Sequence, residues 1–275
     1  MAKLKKQHMT IHWKAIVQDD SSIPATEATL KEKATLVGRI GLMMLSVGTG
    51  AWRVRNSMNK VARCLGITCT ADIGLLAISY TCIEGTDTYT HSISLPTTGV
   101  NTHKLMELEL FMKEFPDKVS TYSVKHIHEV LDEIQKLPAN YKAWNLGLAS
   151  ALACGAFTFL LGGGPVEMCC AFLGAGVGNF VRKKMLGHSI SLLANVAVSV
   201  AASCLVYVLT ILLAQQLLSV SAVHQAGYIC AMLFVIPGFP LITGGIDLAK
   251  LDLRSGLERV SYALLIILTA TMTGW

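Results

Sequence analysis

The stretch PGFP, which begins at Pro237, interrupts a long apolar run with backbone that a regular helix does not accommodate. Pro237 and Pro240 lack N–H groups, so the carbonyls one turn earlier, those of Leu233 and Ile236, lose their helical donors. Near the centre of a bilayer, such backbone is tolerated only against protein or a wet cavity, and broken helices there bind solutes. We therefore predict that Pro237, Gly238 and Pro240 bind a small-molecule substrate. The alternative is a plain proline kink.

A polar stripe lies in the preceding apolar segment. Asn195, Ser199 and Ser203 are spaced i, i+4 and i+8, which places them on one face of a helix. We predict that Asn195 and Ser199 contribute to the same binding site. The alternative is that the stripe only forms hydrogen bonds between helices, as is common in membrane proteins.

Two acidic residues lie at the edges of apolar segments, and one arginine lies nearby. Glu167 follows the stretch GGGP, and Asp247 closes the segment that contains PGFP. Acids at such positions often carry protons, so we predict that Glu167, Asp247 and Arg259 act in proton coupling or gating. In the stretch SGLER, Arg259 is expected to pair with Asp247 or with Glu258. The alternative for both acids is a solvated helix end.

Other chemistry is not indicated. In KHIHE (125–129), His126 and His128 are two residues apart and point away from each other on a helix, so we predict no metal site. The eight cysteines form no C-x-x-C pair and are interpreted as buried apolar residues. We predict no cofactor, and the net charge of +5 is too dispersed to indicate a nucleic-acid partner.

The charge distribution divides the chain into two parts. Residues 1–143 carry 17 of the 23 Lys and Arg residues and 14 of the 18 acids, although only 15% of the whole chain is charged. Typical soluble domains are about 25% charged. We predict an N-terminal tail (1–26), a small cytosolic α+β domain (27–143) and a transmembrane domain (144–275). In the α+β domain we expect a one-sided amphipathic helix at 27–46, further helices at 51–66, 101–115 and 121–136, and a hairpin of strands 73–83 and 90–95.

Five apolar segments follow, and we predict that each is a transmembrane helix. The six positive residues of this half lie in two predicted loops, 182–188 and 250–259, on the same side as the N-terminal domain. The positive-inside rule then places that side in the cytoplasm, so the N-terminus is inside and the C-terminus outside. The fold class is a membrane α-helical protein of the inner membrane, in contact with lipid. The segments are 144–163, 166–181, 189–213, 226–246 and 260–275.

The stretch VIPGFPLITGGIDLAKLDLRSGLERV resembles the signature of the threonine/serine exporter family, in particular its YjjP-like split form associated with succinate export. The stretches at 47–66 and 92–105 also resemble the family's cytosolic domain. The resemblance implies an exporter of small carboxylates or amino acids driven by the proton motive force. Residues that match the motif are Pro237, Gly238, Pro240, Asp247, Gly256 and Arg259. Many relatives have an acidic pair where this chain has Arg55 and Asn56, so a role for that acid does not transfer.

We therefore predict a subunit of a secondary active exporter rather than an enzyme. The alternatives are a membrane-anchored hydrolase-like enzyme and a ligand sensor. Fused relatives continue into a second membrane half, which after five spans would be inverted and would form an interface with the first. We expect a second small membrane subunit to take this place, because otherwise the polar stripe and the PGFP break would face lipid.

Overall fold

The computed structural model describes residues 12–17, 23–138, 141–186, 190–218 and 225–275, so most of the predicted tail lies outside the described residues. The chain is mostly helical and divides into two compact units. The first unit holds the described residues before 140 together with Phe239–Val260, and the second holds the described residues of 140–238 and Ser261–Trp275. Elements of the first unit are α1 (Leu30–Ser46), α2 (Ala51–Cys64), β1 (Thr68–Ile73), β2 (Ala77–Glu84), β3 (Asp87–Ser94), α3 (Thr102–Lys118) and α4 (Val124–Lys136).

Helix α1 forms the centre of the first unit. It begins at a capping box in which Thr29 and Glu32 bond each other's backbone N–H groups. Every residue from Glu32 to Leu45 is buried, so the prediction of a one-sided amphipathic helix is wrong. Helices α2 and α4 and the sheet pack around α1, and its buried charges have partners. Lys33 pairs with Glu84, and Arg39 pairs with Asp132.

The sheet has three antiparallel strands in the order β1-β2-β3. The predicted hairpin is confirmed as β2 and β3, which pair from Ala77 opposite Ser94 to Glu84 opposite Asp87. Ile78, Tyr80 and Cys82 of β2 alternate inward to the core, whereas β3 is largely exposed. Strand β1 was not predicted.

The helices around this sheet agree with the sequence. Helices α2, α3 and α4 lie within three residues of their predicted bounds. On α4, the side chain of His128 is fully buried and that of His126 is half exposed, so the two do point apart as predicted. Ser123 begins α4 by accepting a hydrogen bond from the His126 backbone N–H at 3.2 Å.

The second unit is a helical bundle whose close contacts depend on small residues. A Cβ on Gly147 of one helix would lie 3.1 Å from the Gly176 carbonyl of the next, and one on Gly174 would lie 2.9 Å from the Ser203 carbonyl of a third. These small residues therefore permit the close approach of neighbouring helices. The elements of the second unit are α5 (Ala143–Leu160), α6 (Pro165–Met185), α7 (Leu192–Leu218), α8 (Ala226–Ala231) and the end of α10 (Leu253–Gly274), with a 3-10 turn at Leu233–Val235.

Two helices in the described part of the chain, Ala143–Leu160 and Leu192–Leu217, are long and apolar enough to cross a membrane. The pair Ala226–Val235 and Gly238–Ala249 meets the same criterion jointly, as one span broken at Ile236 and Pro237. Leucine and phenylalanine side chains are exposed along α5 and α7, as expected for surfaces in contact with lipid. The described part of the chain thus holds two candidate membrane spans, or three if the bent pair is one broken span and not a re-entrant loop, and the count of five stays a prediction.

Part of the predicted loop 182–188 is helical. Helix α6 continues to Met185, so Arg182, Lys183 and Lys184 form its last turn instead of a loop. No helix breaker precedes them, and positive charge is favourable at a helix C-terminus. Residues 187–189 of this segment, and residues 219–224 of the predicted loop 214–225, lie outside the described residues.

Candidate functional site

The candidate site forms where helix α9 (Gly238–Ala249) and the start of α10 pack side by side in the first unit. Glycines permit this approach. A Cβ on Gly256 would lie 2.6 Å from Cγ of Leu248, and one on Gly244 would lie 3.1 Å from Cβ of Arg259. The turn between the helices passes through Leu251, whose φ of 62° is unusual for a residue with a side chain.

Asp247 lies fully buried in the last turn of α9. Its Oδ2 accepts hydrogen bonds from the Ser255 hydroxyl at 2.9 Å and from the Ala51 backbone N–H at 3.1 Å. The same oxygen is 3.2 Å from Nε of Arg259. Oδ1 has no hydrogen-bond partner among the residues that the structure describes. This carboxylate therefore has one oxygen that is fully engaged and one that is available to a proton or a further donor.

The carboxylate of Asp247 also caps helix α2. Ala51 is the first residue of α2, and the N-cap residue Gly50 supplies no side-chain hydrogen bond. The N–H groups of a first helical turn have no partner within the helix and carry partial positive charge. Asp247 satisfies one of them across 196 residues of sequence. A Cβ on Gly50 would lie 3.0 Å from the free Oδ1, so a larger residue there would crowd that oxygen.

Arg259 holds the same segment from the other side. Its Nη2 donates to the Thr49 carbonyl at 2.8 Å, and its Nε donates to the Ser255 hydroxyl at 3.1 Å. Ser255 and Arg259 are one turn apart on α10 and so share a face. The predicted pairing of Arg259 with Asp247 is confirmed, and the alternative of Glu258 is wrong. Glu258 instead accepts a hydrogen bond from the Leu75 N–H at 2.6 Å.

A second ion pair fixes the turn between α9 and α10. Arg55 of α2 donates from both terminal nitrogens to Asp252, at 2.6 and 2.7 Å. This bidentate contact is the strongest geometry for a guanidinium and a carboxylate. The two hydrogen bonds from Arg55 hold the pKa of Asp252 below its ordinary value. The hairpin of α9 and α10 is therefore joined to the start of α2 at two places.

The PGFP break satisfies its own backbone. The Leu233 carbonyl accepts from the Ile236 N–H at 3.1 Å, and the Ile236 carbonyl accepts from the Gly238 N–H at 2.9 Å. The prediction that these two carbonyls are free is therefore wrong, because the chain tightens into short local turns. The Phe234 carbonyl also loses its helical donor, because the Gly238 N–H bonds to Ile236, and it accepts a hydrogen bond from Nη1 of Arg182 at 3.1 Å.

The polar stripe of α7 is buried inside the second unit. Ser203 donates to the Ala231 carbonyl at 2.7 Å, Ser199 donates to the Asn195 carbonyl of its own helix at 2.7 Å, and Asn195 donates to the Arg182 carbonyl at 3.3 Å. The expectation that a lone chain exposes this stripe to lipid is therefore wrong. The amide nitrogen of Asn195 and the hydroxyl of Ser203 are thus satisfied by hydrogen bonds to backbone outside α7. Oδ1 of Asn195 has no partner among the described residues.

Glu167 lies in the first turn of α6 and is only 5% exposed, so it is not a solvated helix end. A Cβ on Gly164 would lie 2.7 Å from its Oε2, which explains a glycine at that position. The predicted site residues are thus divided between the two units. Asp247, Arg259 and Pro240 belong to the first, and Glu167, Asn195, Ser199, Pro237 and Gly238 belong to the second. No group of three metal-ligating side chains occurs in the described ranges.

The family model described as "Putative threonine/serine exporter" matches residues 35–275. The chain belongs to the threonine/serine exporter family. This exporter-family chain is 25% identical to the "Probable succinate transporter subunit YjjP" of Klebsiella aerogenes over 234 residues, which cover 85% of the chain and 87% of that protein. It is also 25% identical to the protein of the same name from Escherichia coli over 235 residues, which cover 85% and 88%. No solved structure matched it. The family is one of transporters, so the chain is a transporter protein of the membrane.

Sequence reasoning missed three contacts around the candidate site residues of this exporter-family chain. Arg182 was counted only as a loop charge, although a guanidinium near a broken helix is a natural donor to its carbonyls. Thr49 and Ala51 contribute backbone groups, so their identity carries no signal. The glycines on either side of Thr49 were the available sign of a tight approach.

Proposed function

We propose that this chain is one subunit of a secondary active exporter that moves small carboxylates or amino acids, such as succinate, threonine or serine, out of the cell. In this proposal the chain crosses the inner membrane five times, with the domain of residues 27–143 in the cytoplasm and the C-terminus outside. Its family and its exposed apolar helices support the membrane location. The positive residues of α6 and of the α9–α10 turn support the orientation.

The observation that carries the proposal is the buried pair of Asp247 and Arg259. Asp247 and Arg259 lie at the ends of two predicted membrane segments, and a buried ionisable pair at such a position marks a candidate pathway for ions or substrate. This pair is almost fully buried, lies one helix length after the PGFP break and has one carboxylate oxygen without a partner among the described residues. The pair also contacts the backbone of Thr49 and Ala51, so a change in its charge would alter its hydrogen bonds to the domain of residues 27–143.

The pair suits a zwitterionic substrate in particular. The ammonium group of an amino acid and a proton have the same electrostatic effect at Asp247, since each neutralises the charge of the carboxylate. A proton and the substrate therefore compete for Asp247, which is the requirement for exchanging one against the other. The carboxylate of the same substrate would bind Arg259, whose planar guanidinium can donate two parallel hydrogen bonds to a carboxylate. We assign Glu167 the role of a second proton carrier, because it is a buried acid in a membrane helix.

A dicarboxylate differs in its driving force. A dianion that leaves an inside-negative cell gains about 2.3 kcal/mol per charge per 100 mV, so its export needs no proton. A zwitterion gains nothing from the potential. Succinate export and amino-acid export by one site would therefore respond differently to the loss of Asp247.

A second small membrane subunit completes the proposed exporter. The described relatives are named as transporter subunits. In the second unit the break is exposed at Ile236 (46%), and in the first unit one face of α9 is exposed at Ile242 (65%). Side chains added at Gly238 or Gly245 would meet no atom within 4 Å. This face, not the α7 stripe, is where we place the partner, with Pro237, Gly238 and Pro240 lining the substrate path.

The test is transport by purified protein in liposomes. The full chain is reconstituted alone, and together with the small membrane protein encoded beside it. Labelled serine and labelled succinate are followed under an imposed pH gradient and, separately, under an imposed membrane potential. We expect both subunits together to transport at least about tenfold faster than protein-free liposomes, and the chain alone not to transport.

Three outcomes would count against the proposal. If the two subunits together transported neither serine nor succinate, the exporter assignment would be overturned. Full transport by the chain as a monomer would overturn the need for a partner. Full pH-driven serine transport by Asp247→Asn and by Glu167→Gln would remove both acids from the coupling step.

A further inference from the structure

A cleft of about 870 Å³ opens in the first unit between α1, α4 and the segment before α3. Small-molecule sites typically enclose about 300–1,000 Å³, so the cleft is large enough for a small organic ligand. One apolar wall comes from α1, through Leu42, Met43 and the C-cap residue Val47. A second apolar wall comes from Leu108 and Ile134. The transport site described above does not include this cleft.

Positive charge dominates the polar part of the cleft. Its lining contains Lys14, Arg39 and Lys104 but one carboxylate, Asp132. Arg39 is 4% exposed and already bonded to the Asp132 carboxylate and the His128 carbonyl. It therefore contributes charge more than free donors.

Lys104 is the donor that a ligand can reach. Among the described residues its ammonium donates one hydrogen bond, to the Gln135 carbonyl at 2.7 Å, and an ammonium has three N–H donors. Two donors thus remain at the edge of an apolar cleft. A ligand that matches this lining has one carboxylate for Lys104 and an aliphatic body for the leucine and valine walls.

The cleft borders the segments that hold Arg259. Thr98 donates to the Leu45 carbonyl at 3.0 Å, and the Gly99 N–H donates to the Ser46 carbonyl at 3.3 Å. These bonds join the wall at 97–101 to the end of α1, three residues before Thr49. The Thr49 carbonyl in turn accepts from Arg259. A ligand that presses on the 97–101 wall therefore acts on the contact that fixes the arginine.

We propose that the cleft is an effector site for a small carboxylate with an aliphatic body, and that its occupancy regulates the transport site through Thr49 and Arg259. The regulatory half rests on the proposed function, whereas the binding half does not. Binding alone is measurable on the purified full chain without any transport.

The binding test is calorimetry with 4-methylpentanoate as the probe, against a blank titration into micelles. We expect saturable binding of the carboxylate and at least about tenfold weaker binding of the neutral 4-methylpentanamide, because a charge-assisted hydrogen bond is lost. Succinate and serine, which lack the aliphatic body, should also bind more weakly.

Three variants locate the ligand. Gly99→Leu should abolish binding, since Gly99 lines the cleft and a side chain there would enter open space. Lys104→Gln should weaken binding about tenfold. The matched control is Lys60→Gln, because Lys60 makes the same kind of bond, to the Met112 carbonyl at 2.7 Å, outside the cleft. Lack of saturable binding to the wild-type chain, or equal binding by the wild type, Gly99→Leu and Lys104→Gln, would overturn the site.

The regulatory half is tested in the reconstituted pair of subunits. With 4-methylpentanoate on the side of the α+β domain, serine transport should change at least about twofold in the wild type and not in Gly99→Leu. Binding without any change in transport would overturn regulation and leave the site intact. Failure of all transport would instead contradict the proposed function, while calorimetry would still decide the site.

Discussion

The first unit contains two buried arginine–aspartate pairs that differ in what they join. Arg39 binds groups of a single helix, since His128, Asp132 and Gln135 all lie on α4. The Asp132 side chain is 27% exposed, so water shares in its solvation. Burial lowers the pKa of Arg39, although hydrogen bonding to Asp132 opposes this, and the contact remains one within a folded core.

Arg259 and Asp247 instead join the α9–α10 hairpin to backbone about 200 residues earlier in the sequence. Their side chains are 3% and 0% exposed, and one carboxylate oxygen lacks a partner among the described residues. A pair whose partners are all satisfied mainly stabilises the fold. A pair with an open acceptor that spans distant segments can also change its contacts when a charge arrives or leaves. The comparison therefore favours a structural role for Arg39 and supports the role that we propose for Arg259.

The largest expected effect is that of neutralising the buried aspartate. Asp247→Asn leaves the guanidinium of Arg259 buried without its counter-charge, which costs about 3–5 kcal/mol of stability. Asp132→Asn should cost about 1–2 kcal/mol, because Asp132 is itself 27% exposed and Arg39 keeps its hydrogen bonds to the His128 carbonyl and to Gln135. Thermal unfolding of the purified chain measures both.

A double variant sharpens this difference. Asp247→Asn combined with Arg259→Gln removes both buried charges, so most of the lost stability should return. Serine transport driven by a pH gradient should not return. If the single Asp247→Asn variant matched the wild type in both stability and pH-driven transport, the functional role of the pair would be wrong.

A medium effect is expected from His128, the histidine beside Arg39. Burial, and to a lesser degree the charge of Arg39, lowers its pKa to about 3, against about 6.5 in an unfolded chain. The unfolded state therefore binds a proton that the folded state does not, and stability is lost as the pH falls below about 6.5. From pH 7 to pH 5 the loss is about 2 kcal/mol.

The measurement is denaturant unfolding at pH 7 and pH 5, followed by the fluorescence of Trp13, which stacks on His128 with ring centroids 4.9 Å apart. His128→Gln should flatten this pH dependence. His126→Gln is the matched control on the same helix, because its side chain is 49% exposed, and it should retain the wild-type dependence. An unchanged slope in His128→Gln would show that the Arg39 region does not sense pH through this residue.

The smallest expected effect concerns the turn that positions Asp247. Arg55→Gln removes the bidentate contact with Asp252 and should cost about 1 kcal/mol of stability, since both side chains are partly exposed. Arg254 pairs with Asp72 and Glu258 from an exposed position, so Arg254→Gln should leave the unfolding temperature unchanged. A larger effect from Arg254 than from Arg55 would mean that the exposed pairs, not the bidentate one, fix the hairpin.

The site was predictable from the sequence where its residues are close in the chain. Asp247 and Arg259 lie only twelve residues apart, so the sequence predicted their pairing as one of two alternatives, the other being Glu258. Thr49 and Ala51 bind through backbone groups from far away in the sequence, so the identity of their side chains carries no signal, and the glycines around Thr49 indicate a close approach without naming its partner. The PGFP break was predictable, but how its carbonyls are satisfied was not, because short turns and the distant Arg182 compete for them.

In the fold, too, local patterns were predictable from the sequence and distant partners were not. The β2–β3 hairpin was found because its turn and alternation are strong. Strand β1 also alternates, at Ile67, Cys69, Ala71 and Ile73, but with small residues that count weakly as apolar. Helix α1 was taken as one-sided because Lys33 and Arg39 interrupt its apolar pattern. Their charges are buried with partners supplied by β2 and α4, which periodicity does not reveal.

Leu251, at the tip of the α9–α10 hairpin, has a backbone conformation that lowers the stability of the fold. A left-handed backbone costs a residue with a side chain about 1 kcal/mol, a cost that glycine avoids. The leucine side chain is 82% exposed, so it recovers little of this through packing within the chain. For engineering, position 251 is thus a place where a single glycine would raise the melting temperature without touching the buried pair, which makes it a natural first substitution in a form intended for structure determination.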